Sequence, residues 1–270
     1  MTGPCRYHHR CFRFQGPFTL GLCHDCHKRG RCMNEQPDDE RPLAMTREVL
    51  EADRLRAHYE QHHPQEALLS NEAFRDSINE MLTHRPPCAE QIDGVYLFAY
   101  GSLVWNPCIE IEERRRVRLE GYHRDFCLNL EHGRGTPECP GLMLALVPGG
   151  DSEGMALRIR EQHLEHELLL VWRREMLTGA YMPRWVTLAT DEGELPGIAF
   201  IANPDHPRYL PGLSDADIVG RLSRATGVLG SCLEYLDNTV AGLRDLGIED
   251  SYLGRLQRAV HACHRTARTR

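Results

Sequence analysis

The stretch Val95-Tyr96-Leu97-Phe98-Ala99-Tyr100-Gly101-Ser102-Leu103-Val104-Trp105 decides how the rest of the chain is read. Its apolar and aromatic run, Val95 to Tyr100, is too short for a lone buried helix and rich in β-formers, which predicts a strand covered on both faces. The run breaks at once. Gly101 can take positive φ, and Ser102 can turn both a hydroxyl and an N–H outward, a backbone shape that holds a carboxylate or carbonyl oxygen. A short glycine motif is equally an ordinary strand-to-loop turn, so this stretch by itself establishes a strand end and leaves the chemistry open.

Downstream, the period is mostly two. Val117 and Leu119 alternate with Arg116, Arg118 and Glu120, while Phe126, Leu128 and Leu130 alternate with Asp125, Cys127 and Asn129. Leu142 to Val147 is a further apolar run, and Met155, Leu157 and Ile159 alternate again. These predict four strands of a meander; Trp185 to Ala189 and Ile198 to Ala202 bring the set to about seven. Strands in succession without helices between them favour an antiparallel or mixed sheet, and that many can curl towards a barrel. The fold class read from the pattern is α+β: a mixed or antiparallel, barrel-like sheet flanked by helices.

The helices are legible from caps and stripes. One is predicted from Thr46 to near His62-His63-Pro64, with the adjacent histidines exposed; a second follows Ser70 as N-cap, with Phe74, Ile78, Met81 and Leu82 on one face and Pro86-Pro87 as its stop. Ser214 and the capping box Ser231-Cys232-Leu233-Glu234 open two more, Gly247 closes the latter, and a last helix carries Leu253, Leu256 and Val260. Within the sheet region one long helix is predicted, from Gln162 to about Thr178. Its apolar stripe is Leu164, Leu168, Val171 and Trp172, and the next position on the stripe is Glu175. A carboxyl there meets desolvation and the negative end of the helix dipole, both of which raise its pKa towards proton-transfer range. Periodicity equally allows a rim carboxylate paired with Arg173 or Arg174.

Composition bounds the partners. The 270 residues are 41% hydrophobic and 26% charged, ordinary for a globular protein with a sizeable core. A net charge of -7 argues against a nucleic-acid face, with the basic end Arg265 to Arg270 read as a solvated tail. No apolar run approaches the roughly 20 residues that span a bilayer, so neither a membrane nor a secretory route is expected and the location read is cytoplasmic. Residues 1–44 have a composition of their own, with Cys5, Cys11, Cys23, Cys26 and Cys32 among histidines and arginines. Cys23-His24-Asp25-Cys26 has the spacing of half a zinc site; the alternative is a disordered tail or a start misplaced ahead of Met33 or Met45. The other cysteines are scattered and read as reduced core residues.

Separated motifs then point one way. Phe98-Ala99-Tyr100-Gly101-Ser102-Leu103, Gly133-Arg134-Gly135-Thr136-Pro137 with Pro140-Gly141, and Trp172-Arg173-Arg174-Glu175 with Gly179-Ala180-Tyr181 occur in the order and spacing of the ChaC family. The chain resembles these γ-glutamylcyclotransferases, which act on glutathione, from about Met45 to near its C-terminus, and follows the bacterial type. The resemblance implies a catalytic domain over residues 45–265, no cofactor and no metal, and glutathione as the small-molecule partner. It implies Glu175 as the catalytic base and acid, and Phe98, Ala99, Tyr100, Gly101, Ser102, Leu103, Arg134 and Tyr235 as substrate-binding residues. Tyr235, in Glu-Tyr-Leu, would reach the substrate with its hydroxyl, although by sequence alone it reads as a core tyrosine. Ala99 and Ala180 stand where many relatives have Gly, which would narrow the pocket.

Cleaving a γ-glutamyl amide by cyclisation needs no water or protein nucleophile, because the substrate's own α-amine attacks its γ-carbonyl. It needs a base for the ammonium proton and an acid for the departing amine, and one carboxyl of raised pKa serves both in turn. Three other readings stay open: a cyclotransferase for other γ-glutamyl compounds, a non-catalytic regulator of cation transport, and a cysteine hydrolase drafting Cys108 or Cys127 with His132.

Overall fold

In the computed structural model, residues 43–268 are described. The Cys23–Cys26 zinc reading and the rest of the N-terminal tail up to residue 42 lie outside them. The described residues fall within one unit, Pro42–Arg270.

Val95–Ala99 forms β1, with all of its residues buried. The alternation of a strand sends Tyr96 and Phe98 into one apolar cluster and Val95 and Leu97 into another, so helices are needed on the second side as well. β2 is Glu113–Leu130, β3 is Gly141–Ile159, β4 is Tyr181–Thr190 and β5 is Gly193–Ala202. They close a barrel in the order β1-β3-β2-β4-β5, with β5 completing the ring by parallel pairing to β1 (Leu97 with Ile198) and to β3 (Leu146 with Ile201). The mixed, barrel-like α+β class expected from sequence is the one observed.

The strand count differs. The predicted meander of four strands is two, of 18 and 19 residues. Gly121, at φ 82°, is an interruption between the pairs Glu120–Asp151 and Tyr122–Pro148 and not a turn, and Cys127 is a second extra residue between Phe126–Leu144 and Leu128–Met143. Bulges bend a strand without ending it, which lets β2 and β3 wrap the barrel. A separate two-stranded hairpin, β6 (Thr226–Gly227) and β7 (Gly230–Ser231), leads into the C-terminal helices.

The first predicted helix is two, α1 (Arg47–Glu51) and α2 (Arg54–His62), because Asp53 takes a left-handed conformation at φ 51°. Its carboxylate accepts from Arg56 Nε at 2.9 Å and Asn71 Nδ2 at 2.7 Å, side-chain bonding that suits Asp to such a break. α3 (Asn71–Thr83) starts at the predicted cap, with Ser70 Oγ accepting from Ala73 N at 3.1 Å. α4 (Ser102–Trp105) is a single turn directly after β1. α5 (Leu164–Glu175) is shorter than predicted: a 3-10 turn, Glu161–His163, precedes it, and Glu175 is its last residue. Trp172 of α5 is fully buried against Phe200 and donates Nε1 to Ser77 Oγ at 3.1 Å, locking α5 between α3 and the barrel. The other side of the barrel is covered by α6 (Asp215–Leu222), α7 (Cys232–Asp245) and α8 (Ser251–Arg268), the first two capped by Ser214 and Ser231 as predicted.

Candidate active site

β1 delivers the chain to a turn between the two helical layers. Tyr100 stays buried and donates its hydroxyl to Phe200 O at 2.8 Å. Gly101 has φ -132°, so the expected positive φ is not what glycine supplies. A close approach is: a Cβ at Gly101 would lie 2.8 Å from Tyr235 Oη. Ser102 then opens α4 and lines the same cavity as Tyr235. The N–H groups of Gly101, Ser102 and Leu103 precede any intrahelical acceptor, and among the described residues none donates to a backbone carbonyl elsewhere.

Tyr235 arrives from the first turns of α7, buried and edge-on to Trp105 and Phe126, with the Arg134 guanidinium 5.5 Å from its ring centroid. Burial, with nearby Glu175 adding to it, pushes its phenol up to about 12, so it remains a neutral O–H donor. Arg134 is itself held by Ser231 O at 2.9 Å. The capping box that starts α7 thus also fixes the arginine over the ring.

These groups face a cavity of about 390 Å3. Of the sequence-predicted site residues, Tyr100, Gly101, Ser102, Leu103, Arg134, Glu175 and Tyr235 line it. Phe98 and Ala99 do not: both are fully buried in β1, beneath the turn. Ala180 lines the cavity and Ala99 does not, so only the former departure from glycine can narrow it.

Helix α5 carries two carboxyls with opposite environments, Glu167 buried and Glu175 half-buried. Glu167, unremarked by sequence reasoning, is only 2% exposed. Burial alone would raise its pKa, but a bidentate pair with Arg47 at 2.7 and 2.8 Å and the Glu110 N–H at 2.9 Å lower it instead, leaving a carboxylate that ties α1 to α5. Glu175 has burial raising its pKa and one opposing neighbour, Arg174, whose Nε is 3.1 Å from Oε1. Arg174 is already engaged by the carbonyls of Asn106 and Pro107, which keeps it from neutralising Glu175 in full. The carboxyl that opens on the cavity is therefore the one of raised pKa, and the one that does not is a paired anion.

Two further tyrosines complete the inner wall. Tyr181 gives its hydroxyl to Leu144 O at 2.8 Å, and burial holds it and Tyr100 neutral, well above the usual phenol value. Tyr181 falls inside the quoted Gly-Ala-Tyr motif, so the motif was a signal for it. The outer wall had no such signal. It consists of Tyr59, His132 and Arg208, with Arg208 2.7 Å from Glu66. His132 Nδ1 is buried without a partner among the described residues, its ring stacked at 3.4 Å on His63. The expected exposed pair His62-His63 is corrected accordingly: His63 is half-buried.

The cysteines offered as nucleophiles are poorly placed for it. Burial pushes the Cys127 thiol up to about 12, and Cys108 has its pKa raised by burial and donates to Asn106 Oδ1 at 3.1 Å.

The ChaC-like protein family model matches residues 95–263. The glutathione-specific gamma-glutamylcyclotransferase of Escherichia coli strain K12 is 43% identical over 170 residues, covering 63% of this chain and 74% of the relative. The Schizosaccharomyces pombe protein of the same name is 39% identical over 175 residues, 57% of this chain and 85% of the relative. Among solved structures, a yeast gamma-glutamyl cyclotransferase specific to glutathione superposes with a TM-score of 0.58 at 18% identity, covering 63% of this chain and 97% of its own, a likeness of fold. On the family match and these relatives, the chain belongs to the ChaC-like protein family.

Proposed function

We propose that the protein is a γ-glutamylcyclotransferase that cleaves glutathione into 5-oxoproline and Cys-Gly. The observation that carries the reading is Glu175, a carboxyl of raised pKa lining the same cavity as Gly101, Ser102 and Leu103, whose N–H groups donate to no backbone carbonyl among the described residues. Glu175 takes the proton of the substrate's α-ammonium. The freed nitrogen attacks the γ-carbonyl carbon, and the oxygen, now carrying negative charge, is met by the turn's N–H groups and the Tyr235 hydroxyl. The C–N bond to cysteine then breaks as Glu175 returns its proton to the departing amine and takes the second proton of the attacking nitrogen, which the released Cys-Gly amine carries away as its ammonium. No water enters the balance. The cavity's enclosing wall holds amine and carbonyl together, which supplies the proximity term.

Arg208 places a guanidinium on the outer wall, where the carboxylate at the glycine end of the tripeptide would be received. Binding of that remote end helps to orient the γ-glutamyl arm, so shorter γ-glutamyl compounds lose turnover as well as affinity. The catalytic unit is residues 45–265 with the segment that enters it: Leu43 N donates to Val228 O at 3.0 Å, and residues 43–45 line the cavity. No helix among the described residues is long and apolar enough to cross a membrane, and the described cysteines are free thiols, which supports the cytoplasmic placement.

The test is to offer glutathione, γ-glutamyl amino acids and oxidised glutathione separately, without added metal, and to follow 5-oxoproline. Reduced glutathione should be turned over fastest. Equal rates on γ-glutamyl-alanine would remove the specificity and keep the cyclisation; release of free glutamate would reject the mechanism.

A further inference from the structure

Behind the catalytic turn, and outside its cavity, sits a buried arginine that the mechanism has not used. Arg124 of β2 is 4% exposed. Its Nε donates to Tyr100 O at 2.8 Å, its Nη1 to Asp250 Oδ2 at 2.9 Å, and its Nη2 to Glu153 O. One planar fork therefore joins the end of β1, the middle of β3 and the start of α8, where Asp250 Oδ1 also accepts from Leu253 N at 2.9 Å. The junction is tight: a Cβ on neighbouring Gly154 would lie 2.5 Å from Ala99 O.

We infer that Arg124 is a positioning residue for the proposed cyclisation, setting the Tyr100–Gly101 peptide so that the Gly101 N–H faces the substrate oxygen. The inference rests on the cyclotransferase reading and extends it. In a planar trans peptide the C=O and N–H point in opposite directions, and no described peptide bond is cis. Fixing the Tyr100 carbonyl towards Arg124 thus fixes the Gly101 N–H away from it, on the side where Gly101 meets Tyr235 and the cavity. A cation bonded to the carbonyl also polarises the amide, making its N–H a stronger donor when charge develops on the substrate. A lysine could keep the charge but not the three-way planar fork. Asp250 anchors the fork from its far end, so its neutralisation loosens the same peptide without touching the turn.

The experiment measures kcat, KM, the pH profile of kcat/KM and melting temperature for Arg124→Lys and Asp250→Asn. Loss of alignment at a reacting centre costs on the order of 10- to 100-fold, so the kcat of Arg124→Lys should fall by that range, with KM within about 3-fold of wild type and the acid limb of the profile unmoved. Asp250→Asn, which leaves every turn contact in place, should lose roughly 3- to 10-fold in kcat in the same pattern. A merely structural arginine would lower the melting temperature and leave the kcat of the folded fraction intact; wild-type kcat in either folded variant overturns the inference. Should Arg124→Lys not fold, Asp250→Asn decides alone. A wild-type protein that releases no 5-oxoproline overturns the cyclotransferase reading together with this one, whereas an active wild type matched by its variants overturns this one alone.

Discussion

Replacing Glu175 by Gln is the most searching perturbation, because it moves activity and stability in opposite directions. The amide fills the same space on the last turn of α5 and cannot accept the ammonium proton. Loss of a general base typically costs about 10² to 10⁴-fold in rate, equivalent to roughly 3 to 5 kcal/mol of transition-state stabilisation. Stability has the other sign. Burial raises the Glu175 pKa above its ordinary 4.5, so between that value and the raised one the folded state binds more protons than the unfolded state, and stability falls as pH rises through the interval. Gln at this position never ionises and escapes that cost, leaving the variant at least as stable as wild type at neutral pH. Arg174 keeps the Asn106 and Pro107 carbonyls, so no unpartnered cation is left behind. The assay pairs 5-oxoproline release under saturating glutathione with thermal melts at acid and neutral pH. Near-wild-type release would refute the assignment, and lost activity with a melting temperature several degrees lower would make Glu175 a structural residue.

Glu167→Gln should behave as the converse: about 1–3 kcal/mol less stable with kcat unchanged, since it weakens the Arg47 pair and the Glu110 contact and touches nothing in the cavity. Because the Glu167 pKa is lowered, its contribution is fully present above about 4.5 and fades as pH falls through the folded value, so acid melts should separate it from Glu175. Arg208→Met should raise KM for glutathione by roughly 10-fold and alter it little for the glycine amide of glutathione; equal losses on both would remove Arg208 from carboxylate recognition. A chain starting at Met45 should keep its fold and kcat while KM rises a few-fold, because Leu43 and Ala44 leave the cavity wall; an unfolded product would show that earlier residues are part of the domain. EDTA should leave the rate unchanged, and a rate that falls with chelation and returns with metal would reject the metal-free cyclisation.

The fold was legible where the deciding chemistry is local. Ser70, Ser214 and Ser231 announce helix starts because a hydroxyl three residues before an N–H is a local contact. Strand alternation was equally legible, but strand ends were not. Glycine at Gly121 serves a turn and a bulge alike, and only the pairing of its neighbours Glu120 and Tyr122 with Asp151 and Pro148, some thirty residues away, makes it a bulge. Asp53 carries no glycine or proline signal, and the partners that hold its left-handed backbone include Asn71 of the next helix.

The site divides along the same line. Glu175 and Tyr235 each sit on a helical stripe, and the turn after β1 announces itself by composition, so the inner wall could be assembled from local patterns. The outer wall joins Tyr59, His132 and Arg208 from three distant parts of the chain, and no period connects them. The two carboxyls of α5 show why local pattern is insufficient even within one helix. By stripe position Glu175 is conspicuous, while Glu167 is the more deeply buried of the two. What separates their chemistry is the company each keeps: Glu167 meets a guanidinium from α1 through two parallel bonds, as well as a backbone N–H, whereas Glu175 meets one arginine nitrogen of a guanidinium that also serves two carbonyls. A buried carboxyl becomes a base through the incompleteness of its partners, and that incompleteness is set by contacts between elements far apart in the chain.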